Sequence, residues 1–160
     1  MIRPDLTWRD VQYLLLQTAT PIELDDPTWS RTASGRPFSH TFGYGNMDAY
    51  KIVQAAKTYR LLNPQTRLES HRMDVNKEVP QEGNHLNLTF DVSLQDLQRV
   101  GLSRLEHVTI TFTLSHSRRG DVSMNLVSPK GILSELLVGR PKDNDPSGFK
   151  NWTVMSVKHW

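Results

Sequence analysis

A chain of 160 residues with 37% hydrophobic content is long enough for an ordinary globular core and too apolar for a disordered tail. Its 19 Lys and Arg against 17 Asp and Glu leave a net charge of +2, with the basic residues scattered, which argues against a nucleic-acid surface. No apolar run approaches the span of a bilayer, the opening MIRPDLTWRD lacks the order of a signal peptide, and the absence of cysteine removes disulfides and thiolate zinc sites.

In LTWRDVQYLLLQTA, Thr7 is a good N-cap and Asp10 completes a capping box, with Leu6 and Val11 placed for a hydrophobic staple. Trp8, Val11, Leu15 and Thr18 or Ala19 follow helical spacing, and Leu14 and Leu16 widen the apolar face until little of this helix is expected to be wet. ELDDPTWSRTASGRPFSH then reads as a surface loop, and FGYGNMDAYKIVQAAKTYRLLNP as two glycines leading into a second helix. That helix gathers Ala49, Ile52, Val53, Ala56 and Tyr59 on one face, and Pro64 is expected to end it.

Residues 63–85 carry many charges, two prolines and no sustained period, the composition of a linker or long surface excursion. Beyond them LNLTFDVS alternates Leu86, Leu88, Phe90 and Val92 with polar residues, which predicts a strand. SLQDLQRVG predicts a short helical turn, boxed by Ser93 and Asp96 and stopped at Gly101. Val108, Ile110, Phe112 and Leu114, then Val122, Met124 and Leu126, predict a hairpin, followed by a Ser-Pro-Lys-Gly turn and a third strand. The fold class is therefore α+β, with helices first and a β-sandwich or jelly-roll unit second.

HSRRGDV offers both an Arg-Gly-Asp tripeptide and a dibasic pair, Arg118-Arg119. Between two alternating strands, Arg119, Gly120 and Asp121 are expected to form an exposed hairpin turn, a setting that favours neither adhesion nor proteolytic cleavage. The histidines at 40, 71, 85, 107, 116 and 159 show no metal-ligand spacing, and no nucleophile elbow is present. FGYGNMDA falls short of a dinucleotide fingerprint, lacking the strand and the third glycine. Asn87-Leu88-Thr89 and Asn151-Trp152-Thr153 are glycosylation sequons, meaningful for a chain in the secretory pathway.

Four ordered blocks, LTWRDVQYLLLQTA, RPFSHTFGYGNMDAYKIVQAAK, LEHVTITFTLSHSRRGDVSMNLVSPKGILSELL and GFKNWTVMSVKHW, closely resemble the proprotein convertases of the subtilisin superfamily, with kexin nearest. The absence of cysteine suits the fungal branch. The resemblance implies that residues 1–62 are the C-terminal helices of a subtilisin-like α/β catalytic domain and that 65–160 are a P domain, incomplete at its C-terminus. It places Gly43, Gly45, Asp48 and Ala49 on the family's G-x-G-x-x-D-A landmark and Arg119, Gly120 and Asp121 in the P domain's common sequence.

The resemblance further implies a calcium-dependent serine endopeptidase that processes proproteins after dibasic sites, resident in the late Golgi or vacuolar and endosomal membranes of the secretory pathway. The catalytic residues and calcium ligands of that family lie upstream of the first block, so no catalytic, substrate-binding or metal residue maps onto this chain. Its expected role is structural, with the rest of the catalytic domain as its partner, and the chain alone is expected to be inactive. A stand-alone P-domain interaction module is the alternative.

Overall fold

The computed structural model describes residues 3–80 and 84–158. Among these residues it is α+β: three α-helices and six short strands, the strands paired in antiparallel two-stranded sheets. His159 and Trp160, the end of the fourth block, and 81–83 of the polar stretch lie outside the described residues. Residues up to 62 form one compact unit with those from 105 onward, and 63–104 form a second.

In the first unit α1 (Trp8–Thr18) begins at the predicted box: Thr7 Oγ1 accepts from the Asp10 amide and Asp10 accepts from the Thr7 amide. Its inward face is Asp10, Leu14 and Leu16. Trp8 and Val11 are 64% and 42% exposed, so the helix is wetter than its composition suggests, and the face written through Trp8 and Val11 is not the buried one. The cause is Asp10, one turn before Leu14, whose hydrogen bonds draw that side inward.

β1 (Ser30–Arg31) and β2 (Pro37–Phe38) form a small ribbon inside the predicted loop. α2 (Ala49–Thr58) packs on α1, with Ala56 buried and the Tyr59 ring 6.2 Å from that of Tyr13. It ends well before Pro64. Tyr59 turns to extended backbone, and Arg3 Nη1 donates to Ala56 O and Tyr59 O, each at 2.8 Å, a cationic cap on the last carbonyls.

β3 (Thr109–Leu114) pairs with β6 (Phe149–Met155), placing Ile110 opposite Val154 and Phe112 opposite Trp152. β4 (Met124–Val127) pairs with β5 (Leu133–Leu137) around the Ser-Pro-Lys-Gly turn, where Gly131 donates to Ser128 O at 2.8 Å. The predicted hairpin between 108–114 and 122–126 therefore does not form: its two arms belong to different sheets. Arg119, Gly120 and Asp121 are not a hairpin tip but a 3₁₀ turn on the way from β3 to β4.

In the second unit α3 (Leu94–Val100) has its predicted Ser93 cap and ends at Gly101 in the left-handed region, φ 66°. The alternating segment 86–92 is not a strand. Among the described residues no segment supplies its ladder hydrogen bonds, and Leu88, Phe90 and Val92 are exposed.

Candidate functional site

The segment 39–49 is a joint between the two N-terminal helices. Ser39 and Gly43 exchange backbone hydrogen bonds at 2.8 and 2.7 Å, and Thr20 and Asn46 do so at 3.0 and 2.8 Å. Gly45 sits at φ +116°, and a Cβ there would lie 2.3 Å from Thr20 O, so only glycine lets the loop reach the end of α1. Asp48 caps α2 by accepting from the Lys51 amide at 2.9 Å, a bond that lowers its pKa, and Ala49 is the first helical residue.

A second joint ties α1 to the start of the C-terminal segment. Arg9 grips Glu106 with both arms, Nε to Oε2 at 3.0 Å and Nη2 to Oε1, with each side chain 13% exposed. The hydrogen bond that Arg9 donates to Glu106 raises the Arg9 pKa above its ordinary value. Beside it Asp10 accepts from Leu62 N at 2.8 Å and from Thr7 N at 2.9 Å. Burial pushes the Asp10 pKa up, but the bonds from Leu62 and Thr7 outweigh it, so its pKa lies below the ordinary carboxylate value. The capping-box pattern found Asp10 as a cap. Its second use, holding the chain that leaves α2, and the Arg9–Glu106 pair carry no local signal, because their partners lie far off in sequence.

The Arg-Gly-Asp turn is the third joint. Gly120 N donates to Asp143 O at 3.1 Å, Arg140 N donates to Gly120 O at 2.7 Å, and Arg119 N donates to Asp145 O at 3.0 Å. Gly120 is buried, and a Cβ on it would lie 2.3 Å from Asp143 O and 2.4 Å from Arg140 O. The glycine serves close approach rather than the positive φ expected of a hairpin turn, and this contact leads the chain into β6 beside β3. Arg119 Nε bonds Asp143 at 2.9 Å, and its guanidinium lies 6.0 and 5.9 Å from the rings of Phe149 and Trp152. That bond raises the Arg119 pKa, and Arg119 is in turn the main reason the Asp143 pKa is lowered. Asp121 is exposed and pairs with Arg118 at 3.2 Å.

These carboxylates do not fit a calcium ion. Asp121, Asp143 and Asp145 are each already paired with arginine, and among the described residues no group of three or more His, Asp or Glu could hold a metal. Of the histidines, His107 Nδ1 lies 3.1 Å from Ser156 O, His116 Nδ1 accepts from the Arg118 amide at 3.0 Å, and His40 stands 3.9 Å from Glu135. Both sequon asparagines are exposed: Asn87 lies on irregular chain, and Asn151 lies in β6 at φ 47°, with Thr153 Oγ1 2.7 Å from Thr111 Oγ1. Among the described residues no helix is long and apolar enough to cross a membrane.

Residues 105–160 match the proprotein convertase P-domain. The dibasic-processing endoprotease of Yarrowia lipolytica is 43% identical over 99% of this chain and 16% of its own length. Kexin of Saccharomyces cerevisiae is 39% identical over 98% of this chain and 19% of its own, and human proprotein convertase subtilisin/kexin type 7 is 37% identical over 99% and 20%. The chain belongs to the kexin-like proprotein convertases. It spans about a fifth or less of the length of these relatives. A solved serine protease of Aeromonas sobria shares the fold at a TM-score of 0.71, with 22% identity over 98% of this chain and 31% of that one. All three joints lie within the matched stretch: the landmark loop, the Arg9–Glu106 pair, and the turn at Arg119 in the P-domain portion.

Proposed function

We propose that this kexin-like chain is the structural portion of a calcium-dependent subtilisin-like serine endopeptidase that processes proproteins after dibasic sites in the secretory pathway. Residues 1–62 are the helices that close the catalytic domain, and 65–160 are most of a jelly-roll P domain that stabilises it. The remainder of the catalytic domain supplies nucleophile, base, oxyanion donors and calcium sites, and substrates are met only through it.

The observation that carries this reading is the Arg9–Glu106 pair. It fixes α1, a helix of the N-terminal portion, to the first residues of the P-domain match, which is what a stabilising second domain requires. Removing one partner of such a partly buried pair leaves an uncompensated charge, at a cost of about 3 kcal/mol.

The test is an exchange. Residues 1–160 replace the matching stretch of Saccharomyces cerevisiae kexin, and cleavage of a Lys-Arg peptide is measured with and without calcium. Cleavage is expected to survive the exchange and to fall when Glu106→Ala is added, through loss of folded enzyme rather than a changed KM. The chain alone is expected to give no turnover. Turnover by 1–160 that survives repurification and active-site titration would overturn the reading. A folded exchange protein without cleavage would favour the interaction-module alternative.

A further inference from the structure

Asn87-Leu88-Thr89 and Asn151-Trp152-Thr153 share a pattern, but only the second is explained by its place in the fold. Asn151 holds φ 47°, in the left-handed region that asparagine enters more readily than most residues, and its amide donates to Thr113 Oγ1 at 3.2 Å. Thr153 Oγ1 lies 2.7 Å from Thr111 Oγ1, its partner across the β3–β6 ladder. The fold gives Asn87 and Thr89 no such task. Both are exposed on irregular chain, and among the described residues neither side chain makes a hydrogen bond. An exposed asparagine amide with an exposed hydroxyl two residues on is what N-glycosylation requires.

The neighbouring residues give such a glycan a task. Segment 86–92 alternates apolar and polar residues, contains neither proline nor glycine, carries a single charge at Asp91 and exposes Leu88, Phe90 and Val92. A segment of that kind is prone to stack with copies of itself as strands about 4.8 Å apart. A branched oligosaccharide is too wide to be repeated at that spacing. We infer that Asn87 is an N-glycosylation site and that its glycan keeps 86–92 from self-association. The inference rests on the secretory pathway of the proposed function, where the sugar donor, a lipid-diphosphate-linked oligosaccharide, is met. In the transfer the Asn87 amide nitrogen attacks the donor's anomeric carbon. The new C–N bond replaces the C–O bond to the lipid diphosphate, which leaves with the electron pair, and the amide gives up one proton to a base of the transferase.

The test places a cleavable signal peptide before residues 1–160 and expresses the chain in yeast. Enzymatic release of the glycan in heavy-oxygen water is expected to leave labelled aspartate at position 87 in the tryptic peptide 78–99. Thr89→Ala is expected to abolish the label and Thr89→Ser to keep it. A chain whose signal peptide has been cleaved but whose position 87 stays unlabelled would overturn the site. Asn87→Gln, lacking the glycan, is expected to sediment severalfold more than Thr89→Ser, and adding Phe90→Ser to Asn87→Gln to reverse the increase. Equal sedimentation of the glycosylated and unglycosylated chains would overturn the glycan's role. The added signal delivers the chain whatever its parent does, so failure here strikes Asn87 alone, whereas failure of the secretory-protease reading shows in the kexin exchange.

Discussion

The two compact units carry the same pair of local signals and put them to different use. Each has a capped helix start, a reciprocal box of Thr7 with Asp10 in one and a one-way cap of Ser93 on the Asp96 amide in the other, and each has a run of alternating apolar residues, 108–114 and 86–92. In the first unit Asp10 is 1% exposed and fastens Leu62, and 109–114 finds β6. In the second the cap stays at the surface and, among the described residues, the alternating run finds no ladder partner. A capping box fixes where a helix starts, and a period of two fixes which face of a strand is apolar. Neither says whether another segment will arrive to cover it.

The largest expected effect breaks that comparison at its clearest pair. Phe149 is 2% exposed, with its ring 5.1 Å from that of Phe112, whereas Phe90 is 50% exposed. Phe149→Ala is expected to cost about 3–5 kcal/mol in urea denaturation and Phe90→Ala within about 0.5 kcal/mol. Equal costs would mean that 86–92 is packed as firmly as the β3–β6 ladder. Next in size is Gly120→Ala. The new methyl would meet backbone oxygens rather than movable side chains, for a loss of about 3 kcal/mol, read as a lowered Tm. Amide exchange sharpens the same point, with protection expected at Ile110 and Phe112 and little at Leu88 and Phe90.

Acid probes the first of these caps. The folded-state pKa of Asp10 is depressed, so the stability it contributes is present above the unfolded carboxylate value of about 3.9 and is lost as pH falls below it toward the folded pKa. Asp10→Asn is expected to cost about 1–3 kcal/mol at neutral pH and to flatten the acid limb of the stability profile. Asp96→Asn, on the surface, should change stability within about 0.5 kcal/mol. Denaturation midpoints measured between pH 2 and 7 check both, and an unaltered acid limb in Asp10→Asn would assign that limb to other carboxylates.

Two helix starts were legible because a cap and its partner lie three residues apart: Thr7 with Asp10 and Ser93 with Asp96 are local physics. The α+β class followed from them and from the strand periods. Strand partners were not legible. On the way from β3 to β6 the chain brings Gly120 against Arg140 and Asp143, twenty or more residues away, and the glycine in Arg-Gly-Asp looks the same whether it serves a positive φ or a close approach. The joints at Arg9 and Arg119 were hidden for the same reason: in sequence an arginine whose acid lies far away is indistinguishable from a solvated one.

The smallest expected effect lies inside that turn. Arg119 and Asp121 are neighbours in one tripeptide, yet Arg119 is held by Asp143, Asp145 and two aromatic rings, while Asp121 is exposed and pairs with the exposed Arg118. An adhesion motif must present both charges to one receptor. Here the guanidinium is already committed, and withdrawing it would break its bonds to Asp143 and Asp145 in the 140–145 loop. Asp121→Glu keeps the surface pair within reach and touches nothing buried, so stability should shift by less than about 0.5 kcal/mol. The same variant should leave integrin-dependent cell attachment at the level of the unsubstituted chain, both indistinguishable from a scrambled-tripeptide control. A saturable attachment signal that Asp121→Glu abolishes would show that the turn opens, and that the arginine's bonds to the loop are weaker than the geometry requires.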